Sequence, residues 1–317
     1  RHYATNEILI NTPVGTLDEQ VEEFGNINYQ IHRADLHKIL LDAVIDNDPD
    51  CLKVDHQLVS LEQNSSGVTA AFANGQIATS DVLLACDGCR SVVRSRIFSE
   101  TPPEFAGYVA YRGLVDADTV DSSYVSAGAT LSIGPGQMFM RYPVRNGKLI
   151  NAVGIVKSSD WQEDGWNIPA TASEALDHFK GWHQSIKDVL KAVPQGKRFK
   201  WAILRRAPLD SWVNGRIVLM GDAAHTITPF LGQGAAMALE DAVIFSRAIE
   251  ATDDLDSAIE IYDCTRVERG NWVFLESQLQ GQRMMDVEPD DFNRKKSKEV
   301  YDEIFSYNPV TAPLSLL

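Results

Sequence analysis

Two short apolar runs in this chain each end beside an aspartate and a glycine, and a helical pattern follows both. Residues 81–86 precede Asp87-Gly88, and residues 217–220 precede Gly221-Asp222. Ligands of open α/β sheets bind outside the carboxyl ends of the strands, where both aspartates stand. The two junctions therefore predict an α/β domain that contacts one extended ligand at two points. The structural alternative is a pair of tight strand-to-helix connections with solvated aspartates.

A glycine-rich segment follows the second junction. Residues 229–234 read PFLGQG and lead into a nearly all-apolar helical pattern over residues 235–249. The first N–H groups of a helix have no partner within the helix, and the positive end of its dipole lies there. The segment therefore predicts a pocket for a phosphate, or for an electron-rich ring that carries negative charge when it is reduced.

The middle of the chain has a different pattern, with short strands separated by glycine and proline and then one helix. The predicted strands cover residues 109–115, 130–133, 138–142 and 149–156, and the predicted helix covers residues 172–192. We therefore predict an α/β domain that is interrupted by a mostly antiparallel sheet domain. The α/β domain is assigned residues 31–104 and 206–285, the sheet domain residues 1–30 and 105–205, and a C-terminal helical tail residues 286–317.

Composition narrows the class of protein. The formal net charge is −15 over 317 residues, which argues against a nucleic-acid partner and against docking on an anionic membrane. No run approaches the roughly 18 apolar residues of a membrane span. Four cysteines in so long a chain do not make a disulfide scaffold, and Cys86-x-x-Cys89 has neither a thioredoxin-like context nor a second pair to complete a zinc site. We predict a soluble, cytoplasmic protein without a metal site.

Several motifs together resemble those of the single-component FAD-dependent aromatic hydroxylases. Residues 87–94 follow the pattern D-G-x-x-S-x-x-R, residues 221–225 read GDAAH, and residues 232–234 read GQG. Residues 31–36 resemble the family's segment whose arginine contacts the flavin. The residues that are similar to the salicylate and 6-hydroxynicotinate hydroxylase branch are Trp201, Pro208, Trp212, Tyr111-Arg112-Gly113, residues 142–145 and residues 181–183. The resemblance covers about residues 31–285.

The resemblance implies a fold and a reaction. The fold is that of p-hydroxybenzoate hydroxylase, in which a Rossmann-like FAD-binding domain is interrupted by a substrate-binding sheet. In the implied reaction NAD(P)H reduces FAD, dioxygen adds to the reduced ring, and the resulting hydroperoxyflavin hydroxylates a small aromatic compound. The implied partners are that aromatic substrate and O2, and the chain is expected to be a monomer or a homodimer.

The resemblance also implies roles for single residues. The cofactor-binding residues that it implies are Arg33 at the ribityl or pyrophosphate region, Asp87 in the motif shared with the nicotinamide donor, Asp222 at the ribityl hydroxyls, and Gly232, Gly234 and Ala235 at the pyrimidine edge. Pro229 would border the substrate beside the flavin ring, and Tyr142 would line the aromatic pocket. Met138 and Arg112 are the further pocket residues, although core packing is an equal alternative for Met138.

Two departures from the family's pattern matter. No G-x-G-x-x-G occurs in the chain, although the family opens with a strand, that loop and a helix, a unit of about 30 residues or more. We therefore expect that Arg1 is the edge of a longer protein and that this chain binds FAD poorly or not at all. Met138 stands where that branch often has a histidine, and a thioether cannot transfer a proton.

These departures leave rival functions open. One is another enzyme on the same fold, such as an epoxidase or a flavin-dependent reductase. The other is a catalytically silent fragment or binding protein. Product analysis with labelled dioxygen separates the first rival from a hydroxylase, and the flavin spectrum of the purified protein separates the second.

Overall fold

The computed structural model describes residues 1–9, 17–25, 27–126, 128–163, 165–286, 288–292 and 294–315. The chain forms two compact units. Unit 1 contains Arg1–Asp42, Phe105–Ile203 and Gln280–Ser306, and unit 2 contains Ala43–Glu104, Leu204–Leu279 and Tyr307–Leu317. The division into domains that we derived from the sequence stays a prediction.

Helices and strands alternate in the α/β parts of the chain, as predicted. The helices are α1 Leu17–Phe24, α2 Arg33–Asn47, α3 Val92–Ile97, α4 Ser123–Ser126, α5 Ala172–His178, α6 Gln184–Ala192, α7 Gly234–Ala251, α8 Leu255–Met285 and α9 Arg294–Ser306. The strands are β1 Leu58–Asn64, β2 Gly67–Phe72, β3 Ile77–Ser80, β4 Leu83–Ala85, β5 Glu104–Asp116, β6 Thr130–Gly134, β7 Gln137–Val144, β8 Leu149–Lys157, β9 Ile168–Pro169, β10 Phe199–Arg205, β11 Val213–Asn214 and β12 Ile217–Leu219. Among the described residues, no helix has both the length and the apolar character that crossing a membrane requires.

Unit 2 contains two small sheets and a core between sheet and helices. Strands β1, β2 and β3 form an antiparallel meander, and β12 lies between β11 and β4 in the second sheet. Strand β12 runs parallel to β4, with Ile217 opposite Leu83 and Leu219 opposite Ala85. The core packs the β12 side chains against helices α7 and α8, where Trp212, Ile244 and Tyr262 are fully buried. The buried strand thus holds the residues that follow it at a defined place on the unit.

Unit 1 is built on a six-stranded sheet with the strand order β6-β7-β8-β5-β10-β9. Its pairs β5–β8, β6–β7 and β7–β8 are antiparallel, as predicted. Successive side chains of a strand point to opposite faces of a sheet. Phe139, Tyr111 and Ile150 belong to the face that packs against α5 and α6. Met138, Tyr142 and Arg112 therefore lie on the other face.

The single helix predicted over residues 172–192 is wrong, because the structure has two helices there. Helix α5 ends at His178, and α6 begins at Gln184. Gly181 between them has φ +82°, a left-handed conformation that interrupts the helical hydrogen bonds. His183 then caps α6 by accepting a hydrogen bond from the Ser185 N–H through its side chain. The break turns Phe179 and Trp182 into the core, where both are buried.

Candidate functional site

The two predicted aspartates follow neighbouring parallel strands, so both stand at the same edge of the sheet in unit 2. They differ in their partners. The Asp87 carboxylate accepts hydrogen bonds from the Val92 and Val93 N–H groups, at 2.8 and 3.2 Å, and so caps helix α3. The Asp222 side chain is exposed, and no described residue donates a hydrogen bond to it. Asp222 is thus the aspartate whose carboxylate is available to a ligand.

Arg94, the last residue of the first motif, ties the two junctions together. Its Nη1 donates to the carbonyl oxygens of Ala223 and Ala224, at 3.1 and 2.6 Å. The guanidinium is buried, and this burial lowers the pKa of Arg94 to about 10, with Arg206 contributing in the same direction. Arg94 therefore remains charged at neutral pH and holds the turn after β12 against helix α3. Its role is to join the motifs, because the structure aims its Nη1 at protein carbonyls.

The segment around Gly234 forms an open surface beside Asp222. Helix α7 begins at Gly234, and the Gln233 side chain before it does not cap the helix. A Cβ atom added to Gly234 would lie 3.9 Å from Asp222 Oδ1, which places the carboxylate over the first turn of the helix. Gly232 has φ +68° with open space around its Cα. The first N–H groups of α7 are thus free to meet an electron-rich ligand beside a carboxylate that suits hydroxyl groups.

The remaining residues predicted beside this surface lie at its edge. Pro229 begins a short 3-10 turn, Pro229–Leu231, and its side chain is exposed. Ala235 occupies the first turn of α7, also exposed. The structure therefore brings Asp222, Gly232, Gly234, Ala235 and Pro229 into one stretch of unit 2. These residues fit FAD in character, since they offer a free carboxylate, free backbone N–H groups and no side chain that would block a flat ring.

A buried ion network under this surface was not predicted. The Asp241 Oδ2 atom accepts hydrogen bonds from the Gly221 N–H at 2.8 Å and from His225 Nε2 at 2.7 Å. Arg266 Nε donates to Asp241 Oδ1 at 2.9 Å. Burial by itself raises the pKa of Asp241, but His225, Arg266 and the Gly221 N–H outweigh it and hold this pKa below its usual value. The signal in the sequence was the Glu240-Asp241 pair inside a mostly apolar helix.

A second group of polar side chains lies on the open face of the sheet in unit 1 and includes the predicted pocket residues Arg112 and Tyr142. Arg112 Nε donates to Asn151 Oδ1 at 3.0 Å, and no other described residue accepts a hydrogen bond from this guanidinium. Burial raises the pKa of Tyr142, while the charges of Arg112 and Arg33 act in the opposite direction. Burial lowers the pKa of Arg112. The charge of Arg33, the exposed first residue of α2, also lowers this pKa, whereas Tyr142 raises it. The charges of Arg33 and Arg112 thus act on each other and on the Tyr142 hydroxyl.

Met138 lies on the same face but is buried. It stands opposite Ile155 in the β7–β8 pair and opposite Ile133 in the β6–β7 pair, with 4% of its surface exposed. Its surroundings are therefore those of a packed core residue.

The cysteines are free, and the described residues contain no group of histidine, cysteine and acidic side chains that could hold a metal ion.

Comparison with known proteins identifies the family. The family described as "FAD binding domain" matches residues 15–257. The chain is 34% identical over 251 residues to 3-hydroxybenzoate 6-hydroxylase from Klebsiella oxytoca, covering 78% of this chain and 62% of that enzyme. It is 29% identical over 277–278 residues to two 6-hydroxynicotinate 3-monooxygenases; for the one from Pseudomonas fluorescens, the match covers 86% of this chain and 70% of that enzyme.

The solved structures agree with this result. The complex of a salicylate hydroxylase with its substrate superposes with a TM-score of 0.75 at 29% identity, over 88% of this chain and 74% of that one. The predicted fold class, an α/β fold with an inserted antiparallel sheet, is confirmed by this likeness. The chain spans slightly less than two thirds of the length of several curated relatives that it matches, with 62–65% covered. By sequence and by fold, this chain belongs to the FAD binding domain family, as its downstream flavin motifs predicted.

Proposed function

We propose that this chain acts in the FAD-dependent hydroxylation of a small aromatic compound that carries an anionic group, with NAD(P)H and O2 as co-substrates. The observation that carries the proposal is the exposed carboxylate of Asp222, which accepts no hydrogen bond from a described residue and lies over the uncapped first turn of α7. Such a surface matches the hydroxyl groups and the electron-rich ring of a flavin. The relatives that are named monooxygenases support the same activity.

The residues of unit 2 would hold the cofactor. Asp222 would accept hydrogen bonds from ribityl hydroxyls, and the N–H groups near Gly234 and Ala235 would face the pyrimidine edge of the ring. The bound flavin supplies the transfer of hydride and of oxygen. The contribution of the chain is to position the ring and to stabilise the negative charge that the reduced ring carries, through N–H groups that are already in place. Arg33 and Asp87 are proposed as further cofactor-binding residues, and Pro229 as a neighbour of the substrate.

The open face of the sheet in unit 1 suits an anionic aromatic substrate. Arg112 keeps N–H groups without a partner among the described residues, and a guanidinium pairs well with a carboxylate. The raised pKa of Tyr142 keeps its hydroxyl protonated at neutral pH, so that it can donate a hydrogen bond to a substrate oxygen. Met138 would contribute apolar contact only. Benzoates and pyridine carboxylates, the compounds named for the relatives, combine an aromatic ring with an anion in this way.

The first experiment tests the cofactor. The full chain is mixed with FAD, free cofactor is removed, and the absorbance spectrum of the protein is recorded. Although the missing glycine loop predicts weak binding, the proposed function requires that the wild type retains flavin and that Asp222→Ala retains less. The control is Asp253→Ala, because Asp253 is an exposed acid of unit 2 away from the turn, and it should retain flavin as the wild type does. A wild-type protein that takes up no FAD would contradict the proposed activity for this chain.

The second experiment tests the reaction. The FAD-loaded chain is incubated with NAD(P)H, ¹⁸O-labelled dioxygen and either 3-hydroxybenzoate, salicylate or 6-hydroxynicotinate, and the product is analysed by mass spectrometry. Insertion of one labelled oxygen supports a hydroxylase, whereas a product without label excludes oxygen insertion.

Arg112→Met should raise KM for the carboxylates by about 10-fold or more, since a charge-assisted hydrogen bond contributes about 1.5–3 kcal/mol. Its effect on the corresponding phenols without a carboxylate should be small.

The remaining assignments follow from the proposed reaction. NAD(P)H is available in the cytoplasm, which supports that location. The strongly acidic chain, at a net charge of −15, supports partners that are small molecules and not nucleic acids. We propose a monomer or a homodimer, and size-exclusion chromatography with light scattering measures the state directly.

A further inference from the structure

The buried ion network in unit 2 contains more charge than a stable core needs. Asp241 and Arg266 have fully buried side chains, and Glu240 and Arg269 are only about a tenth exposed. Two carboxylates and two guanidiniums cancel in charge when His225 is neutral. Replacing buried ion pairs with apolar residues of similar volume is often neutral or stabilising in proteins. The network therefore calls for an explanation other than stability, and its geometry provides one.

The network holds both ends of the turn that carries Asp222. A single carboxylate oxygen, Asp241 Oδ2, accepts hydrogen bonds from the Gly221 N–H and from the His225 ring. Asp222 lies between these two residues. Gly221 is left-handed, with φ +57°, so the chain turns sharply where the first of these bonds is made. One buried oxygen thus determines where the turn starts and where it ends.

Asp241 is in turn held from the other side. Arg266 donates to Asp241 Oδ1 through Nε and to Glu240 Oε2 through Nη1, at 2.9 and 2.8 Å. Arg269 donates to both oxygens of Glu240 at 2.8 Å. The Arg269 guanidinium stacks on the Tyr307 ring, 3.6 Å from its centroid. A charge-assisted, two-pronged arrangement restricts direction as well as distance, so the Asp241 side chain has little freedom to rotate.

The His225 ring also packs against the buried Trp212 ring. The rings of Trp212 and His225 lie 5.0 Å apart between centroids. A Cβ atom added to Gly270 would come within 2.3 Å of the Trp212 ring, so helix α8 leaves no free space there. His225 is therefore held by its hydrogen bond to Asp241 and by packing against Trp212. The turn has a rigid base under an exposed carboxylate.

We propose that Asp241 and Arg266 are positioning residues, which set the direction of the Asp222 carboxylate and of the turn around it for the ligand of that carboxylate. The inference rests on the proposed function for the identity of the ligand, which would be the polyhydroxyl chain of FAD. It does not rest on that function for the geometry, because the hydrogen bonds belong to the chain itself. Neither residue touches the ligand surface, so neither is a catalytic residue.

Hydrogen exchange tests the geometry without any cofactor. In the full chain, Asp241→Asn should raise the exchange rate of the Gly221 and His225 amides by about tenfold or more, because the Gly221 N–H loses a charged acceptor. The amides of Leu219 and Met220, which donate to the backbone of Trp212 and Ala85, serve as the internal reference and should keep their rates. The control variant is Glu250→Gln, which changes an exposed acid on the same helix.

A second pair of variants covers the case in which Asp241→Asn does not fold. Arg266→Lys keeps the charge but loses the planar fork that binds both carboxylates, so it should give the same local pattern with a smaller rise. Its control is Arg247→Lys, because Arg247 donates to the Pro309 and Ala312 carbonyls and does not contact the turn. If the turn amides keep their rates in a folded variant, or if all amides of the unit change alike, the proposal is overturned.

A flavin titration links the geometry to function. In wild-type protein that binds FAD, Asp241→Asn should weaken binding by about tenfold or more, and Glu250→Gln should leave it unchanged. Equal affinity of Asp241→Asn and the wild type would overturn the positioning role. If the wild type binds no FAD, the proposed function fails, and the exchange experiment still decides whether Asp241 holds the turn.

Discussion

Arginines lie under the Asp222 turn and on the open face of the six-stranded sheet. They differ in burial and in the number of hydrogen bonds that they donate. Arg266 is fully buried and donates to Asp241, to Glu240 and, at 3.4 Å, to the Met237 carbonyl. Arg112 is half-buried and, within the part of the chain that the structure describes, donates only to Asn151. Buried polar groups in native proteins are almost always hydrogen-bonded. A satisfied arginine therefore indicates a support, and an arginine with free donors indicates a surface that is built for a ligand.

The largest effect on stability is expected when the buried arginine of this comparison is replaced. Arg266→Met should lower the free energy of unfolding by about 3–5 kcal/mol, because it leaves two buried carboxylates without their common partner. Arg112→Met should cost less than about 1 kcal/mol, since it removes one hydrogen bond at a half-open site. Urea unfolding of the full chain, followed by circular dichroism, measures both. Equal losses for the two variants would contradict the distinction between support and ligand surface.

A matched pair of glycine substitutions compares a packed position with an open one inside unit 2. Gly270→Ala should cost about 1–3 kcal/mol, because its methyl group would overlap the buried Trp212 ring at 2.3 Å. Gly234→Ala should be neutral or slightly stabilising, since its methyl group meets nothing closer than Asp222 Oδ1 at 3.9 Å. Thermal unfolding of both variants measures the difference. A Gly234→Ala variant that is as unstable as Gly270→Ala would show that the α7 start is packed and not open.

The smallest expected effect compares the two faces of the sheet in unit 1 at alkaline pH. Burial, with Glu174 nearby, raises the pKa of Tyr111 to about 12, whereas two arginine charges oppose the rise for Tyr142. A phenol whose pKa is raised by folding contributes stability below pH 10.0 and loses it as the pH rises to about 12. Tyr111→Phe should therefore flatten the stability profile in that window, and Tyr142→Phe should flatten it less. Ultraviolet titration of the two variants identifies which tyrosine ionises later, and an earlier ionisation of Tyr111 would refute the assignment.

Much of the fold was predictable because its signals are local. The apolar runs before Asp87 and Asp222 predicted buried strands. The structure has both strands, parallel and adjacent, and β12 is buried throughout, but Leu84 in the middle of β4 is exposed. The helical pattern over residues 235–249 predicted α7. The helix over residues 172–192 was predicted wrongly, because the apolar spacing continues across Gly181 while the left-handed backbone there does not.

The candidate site was predictable only in part. Asp222, Gly232 and Gly234 stand next to a strand end or a helix start, where residue type and position together suggest a ligand. Asp241 stands at neither kind of position, and its only local signal is the acidic pair that it forms with Glu240 inside a mostly apolar helix. The sequence also could not distinguish pocket from core for Met138, which the structure buries between Ile133 and Ile155. Burial depends on which strands become neighbours, and strand neighbours are distant in sequence.

The sequence by itself determined the family, the strands before Asp87 and Asp222, and the residues that directly follow these strand ends. These properties depend on the period of apolar residues and on short motifs, which a chain contains before it folds. Only the tertiary structure decided which carboxylate is free and which is a support. Asp241 reaches Gly221 across 20 residues and Arg266 across 25, and such bonds form only after helices α7 and α8 have packed on β12. The physical reason is that a side chain's partners follow from packing, whereas its position in a helix or strand follows from its neighbours along the chain.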